Sequence, residues 1–518
     1  MGHFNEHYCS QGGEEMISRE RQVKLGAALS YLGVFLGIVS GLIYNPWMIQ
    51  KIGDADYGLY TLAMSLINIF LVDFGLSMAA QRYVSKYRAE EDQNAVNNIV
   101  GLIYKLYLII TAVLTVVFVA LYFFVDGIYV KLTLSELSKF KILYIMVAIY
   151  SITSFPFITL NAILSSYEKF AQLKICDLIY KIITILLTAI ALFAGYGVFV
   201  LVVVNLIASV IVTVMRVIFV KRYTPVKSNF SYKDINKVKE LFGFSIWSSI
   251  SVITSRLLLS LGPSILGVVS GSFEIAVFGY AVSIEGYVYS FVNAINGFFM
   301  PQLSRISTEK NKGNNDDSVL KLMITVGRFI LILFGLIFVG FATLGKNFIA
   351  LLVGEDYINA YYCVLLICGY GLIAYPQQIA NTYSVVQNKV KDRAVISLTS
   401  FGVYLLCVFG FGKFLGAVGI SMAVCFSLIV QTILMNILYA NKLDIAIGEF
   451  FKECHLKMLP GFIVFAGIAF GISAIRLSGW SGFVIKVILV TMAYIVIVWG
   501  MFLTKSEKQK ILRTKQHR

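Results

Sequence analysis

The chain has 518 residues, 58% hydrophobic and 14% charged, with 43 Lys and Arg against 28 Asp and Glu for a formal net charge of +15; its mean hydropathy is +0.81. Soluble chains are about 25% charged, so a string of soluble domains is excluded. In so apolar a chain the basic excess points to membrane orientation and away from nucleic acid. Fourteen runs are long and apolar enough to cross a membrane, each of about 20 residues. In chain order they are 25–49, 58–80, 99–125, 142–165, 175–194, 198–220, 241–269, 275–302, 320–342, 357–385, 392–411, 416–440, 455–475 and 480–503. Two pairs of runs are split only by short glycine-containing turns, Gly195-Tyr196-Gly197 and Gly412-Lys413-Phe414-Leu415. The expected class is an all-α, polytopic membrane protein.

Residues 1–24 are polar and read as a cytoplasmic tail, with 1–15 as a loose leader and Met16 as good a start as Met1. The first apolar run is too long for a signal peptide. With the N-terminus inside, inner segments carry about 28 Lys and Arg and outer loops about 7. Both termini are therefore expected in the cytoplasm of a cell membrane, the basic 504–518 forming the second tail. The outer loops are too short for a catalytic domain, and no G-x-x-x-x-G-K-[ST] run is present, so neither an external enzyme nor a P-loop is indicated. The histidines, His3, His7, His455 and His517, do not assemble into a metal site or a triad within the membrane. No cofactor is expected. The scattered cysteines, none in a C-x-x-C pair, read as small buried hydrophobes.

The sequence repeats at an offset of 220: Tyr150 falls on Tyr370, Pro156 on Pro376, Asn161 on Asn381 and Lys169 on Lys389. An offset of six spans keeps orientation, which is the parallel-repeat architecture. The expected organisation is a first six-helix lobe over 25–220, a basic cytoplasmic linker over 221–240, a second lobe over 241–440, and two added helices within 455–503. Pro156 and Pro376 sit mid-span; proline removes a donor and kinks the helix, either as a hinge or as a static bend. Gly33, Gly37 and Gly41 form a small-residue stripe suited to close helix packing.

Charges at membrane depth usually face a cavity or one another. Arg256 lies roughly 22 Å along the seventh span and Glu285 roughly 15 Å into the eighth. Ser245, Ser249 and Ser260 share a face with Arg256; Tyr289 and Asn296 share one with Glu285. Two readings stand: a wet lumen that binds substrate, or an Arg256–Glu285 ion pair. Arg82, Lys105, Lys181 and Arg216 form a second group, read either as a cationic vestibule for an anionic headgroup or as side chains snorkelling to the interface. Asp73, Asp177 and Glu285 are candidates for ion coupling.

The stretch Gly41-Leu42-Ile43-Tyr44-Asn45-Pro46-Trp47-Met48-Ile49, with Ile52-Gly53 and Tyr57-Gly58-Leu59-Tyr60, resembles the start of the polysaccharide transporter family. So do Asp73-Phe74-Gly75-Leu76-Ser77 running into Gln81-Arg82-Tyr83-Val84, Phe278-Gly279-Tyr280-Ala281 leading to Met300-Pro301-Gln302-Leu303-Ser304-Arg305, and Gly416-Ala417-Val418-Gly419-Ile420. That family includes Wzx-type O-antigen flippases and belongs to the multidrug/oligosaccharidyl-lipid/polysaccharide superfamily. The resemblance implies a MATE-like fold and a flippase for undecaprenyl-diphosphate-linked oligosaccharide, for O-antigen, capsule, exopolysaccharide or a teichoic-type repeat. It implies alternating access, and as partners the lipid-linked glycan, the bilayer, and a polymerase and chain-length regulator. Many relatives resemble one another in carrying an acid where this chain has Arg256, a departure that favours contact with an anion over ion coupling there. A lipid II flippase, a drug antiporter of the same superfamily and a membrane glycosyltransferase are the alternatives.

Overall fold

The computed structural model describes residues 4–71, 75–297, 318–503 and 508–509, and the side chains of these except 4–21, 23–24, 242–245, 248 and 294–297. The described residues are helical almost throughout and contain no strand. Among the described residues twelve continuous helices are long and apolar enough to cross a membrane. One of them, Val390–Leu443, is two helices joined at Gly416, whose φ of 56° and ψ of −131° are non-helical. A further expected span is divided between Asp54–Phe70 and Leu76–Ala89. Among the described residues each of the fourteen expected runs is thus mostly helical, and the chain is a multi-pass membrane protein.

In chain order the elements of the first unit, Met1–Ala276, are α1 (Phe4–Ile52), α2 (Asp54–Phe70), α3 (Leu76–Ala89), α4 (Gln93–Ile128), α5 (Leu134–Ser154), α6 (Thr159–Ser166), α7 (Phe170–Phe193), α8 (Phe199–Tyr223) and α9 (Ile235–Val269). The polar residues before Leu25 continue α1 from Phe4 and do not form the loose leader that their composition suggests. The starts of α4, α5 and α9 are set by side-chain caps that satisfy free backbone N–H groups. Asp92 accepts from Ala95, Thr133 and Glu136 form a capping box, and Asp234 accepts from Asn236 and Lys237. The core lies between α3, α4 and α6, around Leu76, Ala80, Val84, Ile103, Tyr107 and Leu164.

The linker is bound to α4. Asn229 donates its backbone N–H to the Asn97 carbonyl at 3.0 Å, Lys227 donates its own to Asn97 Oδ1 at 2.8 Å, and Lys105 donates to the Tyr232 carbonyl. Helix α9 packs on α2 and α3.

The second unit, Val277–Arg518, continues α10 (Ser272–Gly297), then α11 (Ser318–Val353), α12 (Ile358–Gly369), α13 (Gly371–Ala374), α14 (Gln378–Val386), α15 (Val390–Leu443), α16 (Ile447–Phe450), α17 (Leu459–Ser473) and α18 (Gly479–Ile497). Helices α17 and α18, which have no counterpart in the repeat, pack on each other and on α11. Arg328 Nη2 donates to the Phe502 carbonyl at 2.6 Å and Tyr494 to that of Ile332 at 2.5 Å.

The repeat is visible in local backbone geometry. Pro156 and Pro376 each lie in a 3₁₀ turn, Phe155–Ile158 and Tyr375–Gln377, where one turn of α-helix is lost. At the same offset, Glu168 and Asn388 adopt φ of 58° and 56°. Lys169 and Lys389 then donate to the Leu164 and Ser384 carbonyls, each at 2.9 Å.

Candidate functional site

Three helices of the first unit each place a polar pair on one face. Ser77 and Gln81 are four apart on α3, Asn161 and Ser165 four apart on α6, and Ser249 and Arg256 two turns apart on α9. Together they line a cavity of about 310 Å³ that contains no carboxylate among the described residues lining it. Among the described residues Arg256 makes one long contact, Nη1 to the Leu71 carbonyl at 3.5 Å, and it is exposed. Asn161 Oδ1 is buried without a hydrogen-bond partner among the described residues. A planar cation with five donors, ringed by hydroxyls and amides, suits an oxyanion bonded to a polyhydroxyl group. Ser260 is half-buried and outside this lining, and the side chains of Ser245 and Asp73 lie outside the described residues.

Ser77, Gln81, Asn161 and Ser165 line this candidate cavity, and the charge-led sequence reading misses them. Two signals were available: Gln81 stands in the family-like Gln81-Arg82-Tyr83-Val84 stretch, and Asn161 is one of the repeat identities.

The four basic residues of the expected vestibule are not together. Lys181 and Arg216 line a second cavity of about 480 Å³, with Lys174, Asp177, Tyr150 and Tyr180. There Asp177 bridges Arg216 Nη2 at 3.1 Å and Lys174 Nζ at 3.3 Å, while Lys181 Nζ donates to the Gly33 carbonyl at 2.8 Å. Lys105 is engaged by the linker and Arg82 is exposed on α3; neither lines either cavity.

In the second unit Glu285 on α10 is 7% exposed and accepts a hydrogen bond from the Tyr375 hydroxyl at 3.3 Å. Tyr289 and Tyr370 border that tyrosine, with ring centroids 6.2 and 5.6 Å away. Tyr375 is the first residue of the Pro376 turn, so that turn aims the donor at the carboxylate. No cation of the described second unit pairs with Glu285; the Asn296 side chain lies outside the described residues. A largely apolar cavity of about 470 Å³ lies between Tyr370 and Ile373, the Ile429–Asn441 stretch of α15 and Phe451.

Comparison with known proteins gives the following. Residues 25–307 match the family described as "Polysaccharide biosynthesis protein". The chain is 20% identical over 502 residues to the uncharacterised membrane protein EpsK of Bacillus subtilis (strain 168), covering 93% of this chain and 95% of that one. Its fold is similar to a structure of the lipid II flippase MurJ in an inward closed conformation, at a TM-score of 0.70 and 17% identity over 91% of this chain and 98% of that one. An inward-facing multidrug resistance transporter of the MATE family, in the MOP superfamily, matches at a TM-score of 0.61 and 14% identity, over 80% of this chain and 99% of that one. The fold is therefore MATE-like.

Proposed function

We infer from one premise, that this chain belongs to the polysaccharide biosynthesis protein family, that it is a flippase for a polyprenyl-diphosphate-linked oligosaccharide. The observation that carries the reading is the Arg256 cavity, a guanidinium without a carboxylate among the lining residues, ringed by Ser77, Gln81, Asn161, Ser165 and Ser249. Arg256 takes one phosphate of the diphosphate through two parallel hydrogen bonds. The hydroxyl and amide groups replace water around the first sugars. The polyprenyl tail stays in the bilayer, with the apolar cavity at Tyr370 and Phe451 as a groove for part of it. Lys181 and Arg216, which share the second cavity, meet the anionic headgroup on its way in.

Movement follows by alternating access of the two repeats, with the Pro156 and Pro376 turns as bending points. Glu285 is the coupling carboxylate, with Asp73 and Asp177 as further candidates. The protein then acts in the cytoplasmic membrane with both termini inside, supplying a polymerase and chain-length regulator outside. A drug antiporter needs an acidic cavity, and the described residues lining the Arg256 cavity include no carboxylate. A lipid II flippase remains the second reading, supported by the likeness to MurJ in fold.

The test is the pool of lipid-linked intermediates in a deletion strain. Cytoplasmic-face polyprenyl-diphosphate oligosaccharide accumulates, clears on complementation by the wild type and persists with Arg256→Ala at equal membrane abundance. An unchanged pool together with altered resistance to cationic drugs overturns the reading in favour of an antiporter.

A further inference from the structure

The cavity of about 480 Å³ shares no lining residue with the Arg256 cavity. Three cations, Lys174, Lys181 and Arg216, face it against one carboxylate, Asp177. With Lys174 and Asp177 still 41% and 46% exposed and Arg216 21%, the place is open to solvent, and its positive excess attracts an anion. Asp177 serves two of the three cations at once, Lys174 at 3.3 Å and Arg216 at 3.1 Å. Arg216 Nε remains buried with no hydrogen-bond partner among the described residues. Among the described residues Lys181 hydrogen-bonds a neutral carbonyl, that of Gly33 at 2.8 Å, and forms no direct ion pair. The Gly33–Gly37 face of α1 makes room for it, since a Cβ at residue 37 would stand 2.9 Å from Nζ. The rest of the lining mixes apolar Leu29, Val34, Leu178 and Val212 with the hydroxyls of Ser30, Ser209, Tyr150 and Tyr180, the last donating to Asn205 Oδ1 at 2.8 Å. Aromatic faces and hydroxyls beside cations are the chemistry of a sugar next to a phosphate.

We propose that this cavity is a glycosyl-phosphate site in which Asp177 is a resident competitor. The incoming phosphate displaces the Asp177 carboxylate from Arg216 and Lys174 and takes Lys181 as its third donor, while the sugar lies on Tyr150 and Tyr180. Return of Asp177 to its partners drives release. The inference rests on Lys181 and Arg216 as headgroup contacts and adds the sugar-facing wall and the competitor.

The experiment is equilibrium binding of radiolabelled glucose 1-phosphate to the full chain in nanodiscs, with inorganic phosphate, free glucose and phosphatidylglycerol as competitors. Glucose 1-phosphate binds at least tenfold more tightly than inorganic phosphate, and free glucose does not compete. Lys181→Met weakens binding tenfold or more. Tyr150→Phe weakens glucose 1-phosphate and leaves inorganic phosphate unchanged. Asp177→Asn tightens binding several-fold, a gain that a misfolded variant cannot produce, and slows release. Wild-type affinity in both Lys181→Met and Asp177→Asn overturns the proposal. So does equal affinity for inorganic phosphate, which marks a plain anion site, or displacement by phosphatidylglycerol alone, which marks a lipid headgroup site. A loss confined to Arg256→Ala assigns the phosphate to the other cavity; it overturns this site and leaves the flippase reading standing.

Discussion

The Lys181 ammonium donates to the Gly33 carbonyl across the α1–α7 contact, 2.8 Å away, and rests where Gly37 has no side chain. A glycine stripe in a membrane helix usually serves backbone approach. Here part of the stripe seats a charge. Gly26, three turns before Gly37, is different: a Cβ there would stand 2.9 Å from Phe170 Cβ and 3.3 Å from its carbonyl carbon.

These two glycines separate in their response to alanine. Helix propensity favours alanine over glycine by about 1 kcal/mol. At residue 37 the obstacle is the flexible end of a lysine, so Gly37→Ala stays within about 1 kcal/mol of wild type. At residue 26 the obstacle is the root of a side chain, which cannot swing aside, and overpacking costs about 1–3 kcal/mol. Thermal unfolding in one detergent, read by tryptophan fluorescence, ranks Gly26→Ala below Gly37→Ala.

Arg256 and its neighbours grade by charge. Truncating a residue that makes one neutral hydrogen bond removes about 0.5–1.5 kcal/mol, and one to a charged group about 1.5–3 kcal/mol. Gln81→Ala and Asn161→Ala therefore slow export about two- to tenfold, and Arg256→Ala by at least tenfold, at matched membrane abundance. Export by Arg256→Ala at the wild-type rate excludes a phosphate contact at that residue.

Glu285→Gln keeps an oxygen to accept from Tyr375 and removes the exchangeable proton. Flipping in proteoliposomes then loses its response to an imposed pH gradient, while insertion and unfolding temperature stay near wild type. A retained response points to another carboxylate, with Asp73 and Asp177 next to be changed.

Asp234 lies outside the membrane spans and caps α9. The backbone N–H of Lys237, then the Tyr232 hydroxyl and the Asn236 N–H, hold its carboxyl below the usual range. The sign follows: the charged form is favoured by folding, so its contribution is complete above the ordinary carboxylate pKa and is lost as pH falls through the lower, folded value. Hydrogen exchange across 234–240 should accelerate relative to intrinsic rates as pH falls below the ordinary carboxylate range in the wild type. Asp234→Asn, which still caps, removes that acid dependence.

Hydropathy made the helices legible because a bilayer demands one simple quantity, about 20 apolar residues per crossing. It also marked Arg256, since a charge within an apolar run stands out. The rest of that cavity was hidden by sequence distance: Ser77, Asn161 and Ser249 come from three helices far apart in the chain. At residues 81 and 82 charge misled. An arginine draws the eye over a glutamine, yet helical spacing places Gln81 above Ser77 and turns Arg82 about 100° away. The vestibule scattered for a related reason, because position along a span says nothing of rotation about it. At Gly412–Leu415 the turn chemistry was legible only to within a residue or so. The chain breaks at Gly416, the residue able to take the required positive φ.

The bonds from Lys227 and Asn229 to Asn97 give the linker a further meaning. A connector tied down along its length has little slack, and whatever moves α4 also moves the start of α9. An insertion there, such as a fluorescent reporter or a protease site, would have to tear those bonds before it could be accommodated. Residues 224–234 look, on composition alone, like the natural place to cut this protein in two. They are better regarded as a splint.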